Sequence, residues 1–263
     1  MRTISKFSAP EGSPNPTKYA KDGWTDFSKH VRSAEIVKVY RLGKNIWVGL
    51  NTEPETAWHI HLGSTGWFLP HNQLARDLCT VDGVHSNFLH PVNPATVRVR
   101  VHFDDGQIWD YHDSRTWGNW KIREGATPRD EKYFQELGPD WLDESAMASM
   151  ALMSCNQKRH ATLVLQDQHV AAGVGHYLAN ESLWMARVHP HKKWHLLSEE
   201  RKILVCQCVV RTIRMAALSN NHNHWAVFQR KGLPCPDCGT KIKRAVQGNR
   251  GDYYCYKCQS KHR

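Results

Sequence analysis

Two cysteine pairs near the carboxyl end constrain this chain more than any other feature. Cys235-Pro-Asp-Cys238 and Cys255-Tyr-Lys-Cys258 give the spacing C-x2-C-x16-C-x2-C. Each C-x2-C turn can aim two thiolates at one point, and two such turns close a tetrahedron of soft sulfur ligands, which suits Zn2+. A redox pair is the alternative reading of either turn. Four cysteines fill the coordination sphere, so the metal is expected to be structural. Residues 221–263 show neither helical nor strand periodicity and are too short for a hydrophobic core, and ligation would supply the missing folding free energy. Lys241–Val246 and Asp252–Tyr254 are expected to pair as a hairpin with its tip at residues 247–251. Cys79, Cys155, Cys206 and Cys208 are scattered among apolar neighbours and read as buried thiols.

Charge is concentrated at the same end. The 263 residues carry a formal +10, but residues 182–263 hold 16 Lys and Arg against 4 acids, and residues 1–181 hold 19 against 21. A basic third attached to a near-neutral remainder favours a polyanion partner, DNA or RNA, over an ordinary solvated lysine face. No run approaches the roughly 20 apolar residues of a spanning helix. The first residues lack the apolar core of a signal peptide. The expectation is an intracellular monomer, in cytoplasm, nucleoid or nucleus, with no membrane association.

The first half alternates apolar and polar residues at strand spacing. Ile36–Tyr40, Ile46–Leu50, Trp58–Leu62, Val97–Phe103 and Ile108–Tyr111 are expected strands, with a hairpin turn at Asp104-Asp-Gly-Gln107. Antiparallel strands with one wet face each suggest a sandwich. Residues 70–95 read as a long loop with a short helix. Gly125, Pro128, Gly138 and Pro139 mark a linker. Beyond it the period is helical, with a long helix beginning near Glu199 behind an N-capping Ser198 and turning Ile203, Val205, Val209, Ile213 and Ala217 inward. The expected organisation is α+β and multidomain: an antiparallel β-sandwich over 1–124, a linker over 125–142, a helical domain over 143–224 and a four-cysteine zinc finger over 225–263.

Gly173 and Gly175 sit in a tight turn between two helices. A helix beginning there would present backbone N–H groups and the positive dipole end to a phosphate. The same pattern is also compatible with a plain helix–turn–helix corner.

At these residues the chain resembles the formamidopyrimidine-DNA glycosylase/endonuclease VIII family. Gly173-Val-Gly-His-Tyr-Leu-Ala-Asn-Glu-Ser-Leu183 with Ala186–Pro190 is similar to its helix–two-turn–helix signature, and Val227–Gln259 to its zinc finger. Leu137–Asp140, Tyr111–Gly118, His61–Gly66 and Arg41–Lys44 extend the likeness over about residues 30–260. The resemblance implies a β-sandwich joined to a helical domain bearing the finger, with DNA in the cleft between them.

It also implies roles. Lys44 matches a hairpin lysine near the damaged nucleotide. Arg115 and Trp117 match an Arg-x-Phe pair that fills the gap left by a flipped base, since a planar cation and an aromatic ring can replace lost stacking. Ser64 stands where a third intercalating residue is often Met. Arg250 matches the fingertip arginine that binds phosphates flanking the lesion, and His176 replaces an Asn that helps bind them. Gly173 and Gly175 let the DNA backbone approach.

Family members begin Met-Pro-Glu and attack C1′ with the exposed proline amine. This chain begins Met1-Arg2-Thr3, and Pro10-Glu11-Gly12 is internal. The expectation is a chain lacking the catalytic head and first helix, through a misplaced start or a real loss. Lys44 is then the best remaining amine for catalysis, although a lysine there can equally bind phosphate. The expected activity is base removal by amine attack followed by β-elimination on damaged or abasic double-stranded DNA. The alternative is a non-catalytic DNA-binding member, with RNA binding by the finger alone a third reading.

Overall fold

A computed structural model describes residues 2–260, apart from 11–15, 21–22, 33, 64–65, 72–79, 82–83, 86–93, 126, 128–131, 220–224 and 248–249. Ser64, Cys79, Glu11 with Gly12, and part of the expected fingertip lie outside the described residues. The chain divides into two compact units, Met1–Glu136 and Leu137–Arg263.

The first unit contains β1 (Arg2–Ser8), α1 (Trp24–Val31), β2 (Glu35–Leu42), β3 (Asn45–Leu50), β4 (Thr56–His61), β5 (Gly66–Pro70), a two-residue ladder β6 (Thr80–Val81) and β7 (Val84–His85), β8 (Val97–Phe103), β9 (Ile108–Asp113), β10 (Asn119–Glu124) and α2 (Lys132–Gln135). Eight strands form an antiparallel sheet in the order β10-β4-β3-β2-β1-β8-β9-β5. β1 is its corner. Arg2 and Thr3 pair with β2, and after an irregularity between Ile4 and Lys6 the strand continues against β8. A strand that bends while changing partners lets one sheet fold into two layers. The layers meet through aromatic rings: Phe68 of β5 lies 6.0 Å from Trp120 of β10 and 6.1 Å from Trp58 of β4. Phe27 and Val31 of α1 are buried in the same core. That helix carries Asp26 in its first turn and Lys29 and His30 in its last, the arrangement its dipole favours.

The second unit contains α3 (Ser145–Ser154), α4 (Ala161–Leu165), α5 (His176–Met185), α6 (Glu199–Ser219), β11 (Lys243–Gln247) and β12 (Arg250–Tyr254). Leu152, Val164, Leu165, Leu183, Trp194, Val205 and Val209 are its buried centre. Ser198 caps α6, its Oγ accepting the N–H of Arg201 at 3.4 Å. Ile203, expected inward, is 44% exposed. The buried face runs instead through Val205, Cys206, Cys208, Val209, Thr212 and Ile213. Cys155 is only partly buried. Among the described residues no helix is long and apolar enough to cross a membrane.

The boundary between the two units, after Glu136, falls within the stretch expected as a linker, and some of its residues are buried. Phe134 is fully buried in the first unit, 5.2 Å from the Trp47 ring and 5.0 Å from His59. Trp141 is buried in the second unit, and Asp140 bridges in parallel to Ala172.

His59 yields a pH prediction. Its ring is buried beside Trp47, and its Nε2 lies 2.9 Å from Asn45 Oδ1. Burial first, then Arg123, lowers its pKa to about 3. A depressed histidine adds stability that is present above about pH 6.5 and lost as pH falls toward the folded value. By that relation the first unit should lose about 2 kcal/mol between pH 7 and pH 5. Urea titrations of the wild type and His59→Phe at both pH values check this; an equal pH loss in the variant would refute it.

Candidate nucleic-acid interface

The finger brings its four thiols together. The Sγ atoms of Cys235, Cys238, Cys255 and Cys258 all lie within 4.8 Å of one another. Individual separations are 3.4 Å for Cys238–Cys255 and Cys238–Cys258, and 4.0 Å for Cys235–Cys258. A tetrahedron with Zn–S bonds near 2.3 Å has sulfurs about 3.8 Å apart, so the donors fit zinc in kind and spacing. Burial and the neighbouring thiols push Cys258 up, a crowding that a divalent cation would relieve. These residues would hold structural zinc, with no position left for a reacting water.

The finger is fastened to the helices by buried polar bonds. Gln259, fully buried, accepts the N–H of Cys255 at 2.9 Å and donates to the Val188 carbonyl at 2.8 Å. Val227, Ile242, Cys235 and Cys255 make a small core against which Trp184 of α5 packs. β11 and β12 pair in register from Lys243↔Tyr254 to Gln247↔Arg250, close to the expected hairpin. Arg250 is exposed, with Nη1 3.4 Å from Gln166 Oε1 at the end of α4.

Two glycines form the helix junction. Gly173 has φ +108, a conformation that side chains resist, and its N–H donates to Gln168 Oε1 at 3.0 Å. Gln168 Nε2 in turn donates to the Val174 carbonyl at 2.9 Å. Gly175 is the extended N-cap of α5 and makes no side-chain capping bond. The first turn of α5 therefore combines the positive dipole end with no acidic residue. His176, the first helical residue, is occupied elsewhere: its Nε2 lies 3.0 Å from Asp252 Oδ1 in β12.

In the first unit, Arg115 and Trp117 occupy the turn between β9 and β10. Both are exposed, with the Arg115 guanidinium carbon 5.0 Å from the Trp117 ring centroid. Asp113, fully buried, braces the turn by accepting the N–H of Gly118 at 2.8 Å and of Arg115 at 3.3 Å. Thr116 is held at φ +55, uncommon for a β-branched residue. A Cβ on Gly63 would lie 2.8 Å from the Trp117 carbonyl oxygen, so the neighbouring turn packs closely only without a side chain. A planar cation and an indole are thus presented to solvent from a stiff support.

Lys44 is exposed in the β2–β3 turn, and its carbonyl accepts the Leu62 N–H at 3.3 Å. Burial first and the Lys44 charge second lower the pKa of His61. Asp252, Asp113 and Gln259 were not singled out as site residues from the sequence. Asp252 stands between a glycine and a tyrosine and Gln259 directly follows a zinc-ligand cysteine, which were their only local marks.

Three family models match in chain order. The formamidopyrimidine-DNA glycosylase N-terminal domain matches residues 3–120, the formamidopyrimidine-DNA glycosylase H2TH domain 137–224, and the zinc finger found in FPG and IleRS 232–261. A formamidopyrimidine-DNA glycosylase of Thermomicrobium roseum is 30% identical over 277 residues, spanning 94% of this chain and 90% of its own. One of Corynebacterium glutamicum is 26% identical over 273 residues, with 94% and 89% covered. Lactococcus lactis Fpg (MutM), solved with DNA containing N7-benzyl-Fapy-dG, aligns at TM-score 0.73 and 19% identity over 98% of this chain and 93% of that one. The MutM (Fpg) protein of Thermus thermophilus aligns at TM-score 0.70 and 23% identity over 98% and 91%. These two likenesses establish the fold.

Proposed function

The chain belongs to the formamidopyrimidine-DNA glycosylase family, and from that premise we propose that it is a base-excision repair protein of the DNA glycosylase/AP lyase type, acting on damaged or abasic double-stranded DNA. The observation that carries this reading is the uncapped amino terminus of α5 in the same unit as a basic finger hairpin bearing Arg250. Helix N–H groups and a guanidinium are the donors a phosphate backbone requires. Gly173 and Gly175 keep the approach to that terminus free of side chains. Arg115 and Trp117 suit stacking into the gap of an extruded nucleotide. A DNA substrate fits an intracellular protein, in cytoplasm, nucleoid or nucleus.

Lys44 is our candidate nucleophile. Its neutral amine would attack C1′ of an abasic sugar, and loss of water from the adduct would leave an imine that permits β-elimination. Exposure gives the amine access to an incoming strand.

The test is incubation with abasic-site duplex and borohydride, which reduces the imine to a stable amine. The expected result is a covalent protein–DNA adduct that disappears in Lys44→Ala while duplex affinity falls less than about tenfold, as for one lost contact. An adduct that survives in Lys44→Ala would remove Lys44 from the mechanism. Tight binding with no adduct in the wild type would overturn the lyase reading.

A further inference from the structure

Asp252 lies two residues beyond Arg250 in β12 and is 2% exposed. Its oxygens collect hydrogen bonds from three separate parts of the helical unit. Oδ1 accepts from His176 Nε2 at 3.0 Å and Thr162 Oγ1 at 3.1 Å, and Oδ2 from His191 Nε2 at 2.9 Å. An ionised carboxylate only accepts, so both imidazoles must present Nε2–H. Burial by itself would raise the Asp252 pKa, but the bonds from His176 and His191 outweigh it and hold the carboxyl well below its usual range. The rings are fixed from their other sides as well. His176 stands edge-on to Phe228 at 5.7 Å, and His191 stacks on His160 at 4.9 Å.

We propose that Asp252 is a positioning residue of the phosphate site, fixing Arg250 relative to the amino terminus of α5, and that His176 is its strut rather than a phosphate ligand. The proposal rests on the reading that this unit binds DNA. Its geometric basis is simple. Side chains two apart on a strand share a face, so anchoring Asp252 to α5 turns Arg250 toward the same side. The Nε2–H of His176 is spent on Asp252, so that donor is not offered to a phosphate. Phosphate recognition then falls to the first backbone N–H groups of α5 and to the Arg250 guanidinium, which among the described residues makes one long contact, 3.4 Å to Gln166.

The test measures affinity for an abasic-site duplex against salt concentration in the wild type, Asp252→Asn, His176→Ala, the double variant and Arg250→Ala, with zinc content and thermal midpoint recorded for each. Asp252→Asn and His176→Ala are each expected to weaken binding about tenfold and to reduce the slope of log K against log salt by about 0.9, as Arg250→Ala does. The double variant should be no weaker than the poorer single one, with zinc retained throughout. Additive losses would show that His176 contacts phosphate independently and overturn the proposal. So would unchanged binding in Asp252→Asn, or a loss of binding that tracks a loss of zinc. A wild type that does not bind the duplex would instead refute the functional reading beneath it.

Discussion

Cys255→Ser is expected to unfold the finger while leaving the helices standing. Structural zinc contributes roughly 10–16 kcal/mol of apparent binding free energy in small Cys-ligated domains, and that energy is folding energy. The finger has little apolar core besides: Val227, Cys235, Ile242 and Cys255 are its buried hydrophobic cluster, and two of the four are the ligands themselves. The helical unit has its own core around Leu183, Trp194, Val205 and Val209 and does not depend on the metal. Serine cannot replace a thiolate at a sulfur-lined site, so three ligands would remain and affinity would collapse. The checks are metal content, amide exchange in β11 and β12, and DNA binding, all compared with chelator-treated wild type. Rapid exchange confined to residues 232–261 is expected in both samples. A protected hairpin without metal would refute the structural role.

The second large effect belongs to Glu181. Its carboxylate is 5% exposed in α5 and receives three backbone N–H groups from the chain leading into the finger. Oε1 accepts from Val227 at 2.9 Å and Phe228 at 2.7 Å, and Oε2 from Ala226 at 2.9 Å. Burial raises its pKa against the pull of those three bonds. Glu181→Ala would abandon three donors at roughly 1–3 kcal/mol each, so a loss of about 3–9 kcal/mol is expected. That is a large share of the roughly 5–15 kcal/mol by which whole domains are stable. Glu181→Gln keeps one carbonyl oxygen and should cost about 1–3 kcal/mol, for the one N–H left facing an amide. Denaturant midpoints with unchanged slopes would measure both. A Glu181→Ala variant within about 1 kcal/mol of wild type would mean that water satisfies these donors.

Parts of this architecture can be read from contiguous residues. The C-x2-C pairs announce their metal because two thiolates three residues apart converge on one ion by local geometry alone. The alternation in Val97–Phe103 marks a half-buried strand, as found in β8. Gly173 and Gly175 point to the start of α5 because the backbone conformations of a helix junction are local demands.

Other features resisted that reading for an equally physical reason. β1 was not expected: Arg-Thr-Ile-Ser-Lys-Phe-Ser is mostly polar, and its place at the corner of the sheet depends on β2 and β8, some 30 to 100 residues away. Phe134 and Trp141 sit among turn-forming residues that suggest a linker, and only packing against two different cores reveals them as buried. Ile203 fits the helical period of α6 yet faces outward, because periodicity defines a stripe without saying which neighbours cover its edge.

His176 is the clearest division between the two. By itself the sequence determined that a ring nitrogen stands at the start of α5, beside glycines and upstream of a zinc hairpin. Only the tertiary structure decided what that nitrogen holds. Its partner, Asp252, is 76 residues away and is brought within 3.0 Å by the docking of the finger on the helix. Spacing and periodicity are properties of a contiguous chain; hydrogen-bond partners depend on burial, which makes an unpaired polar atom costly and so favours whatever partner the fold brings near.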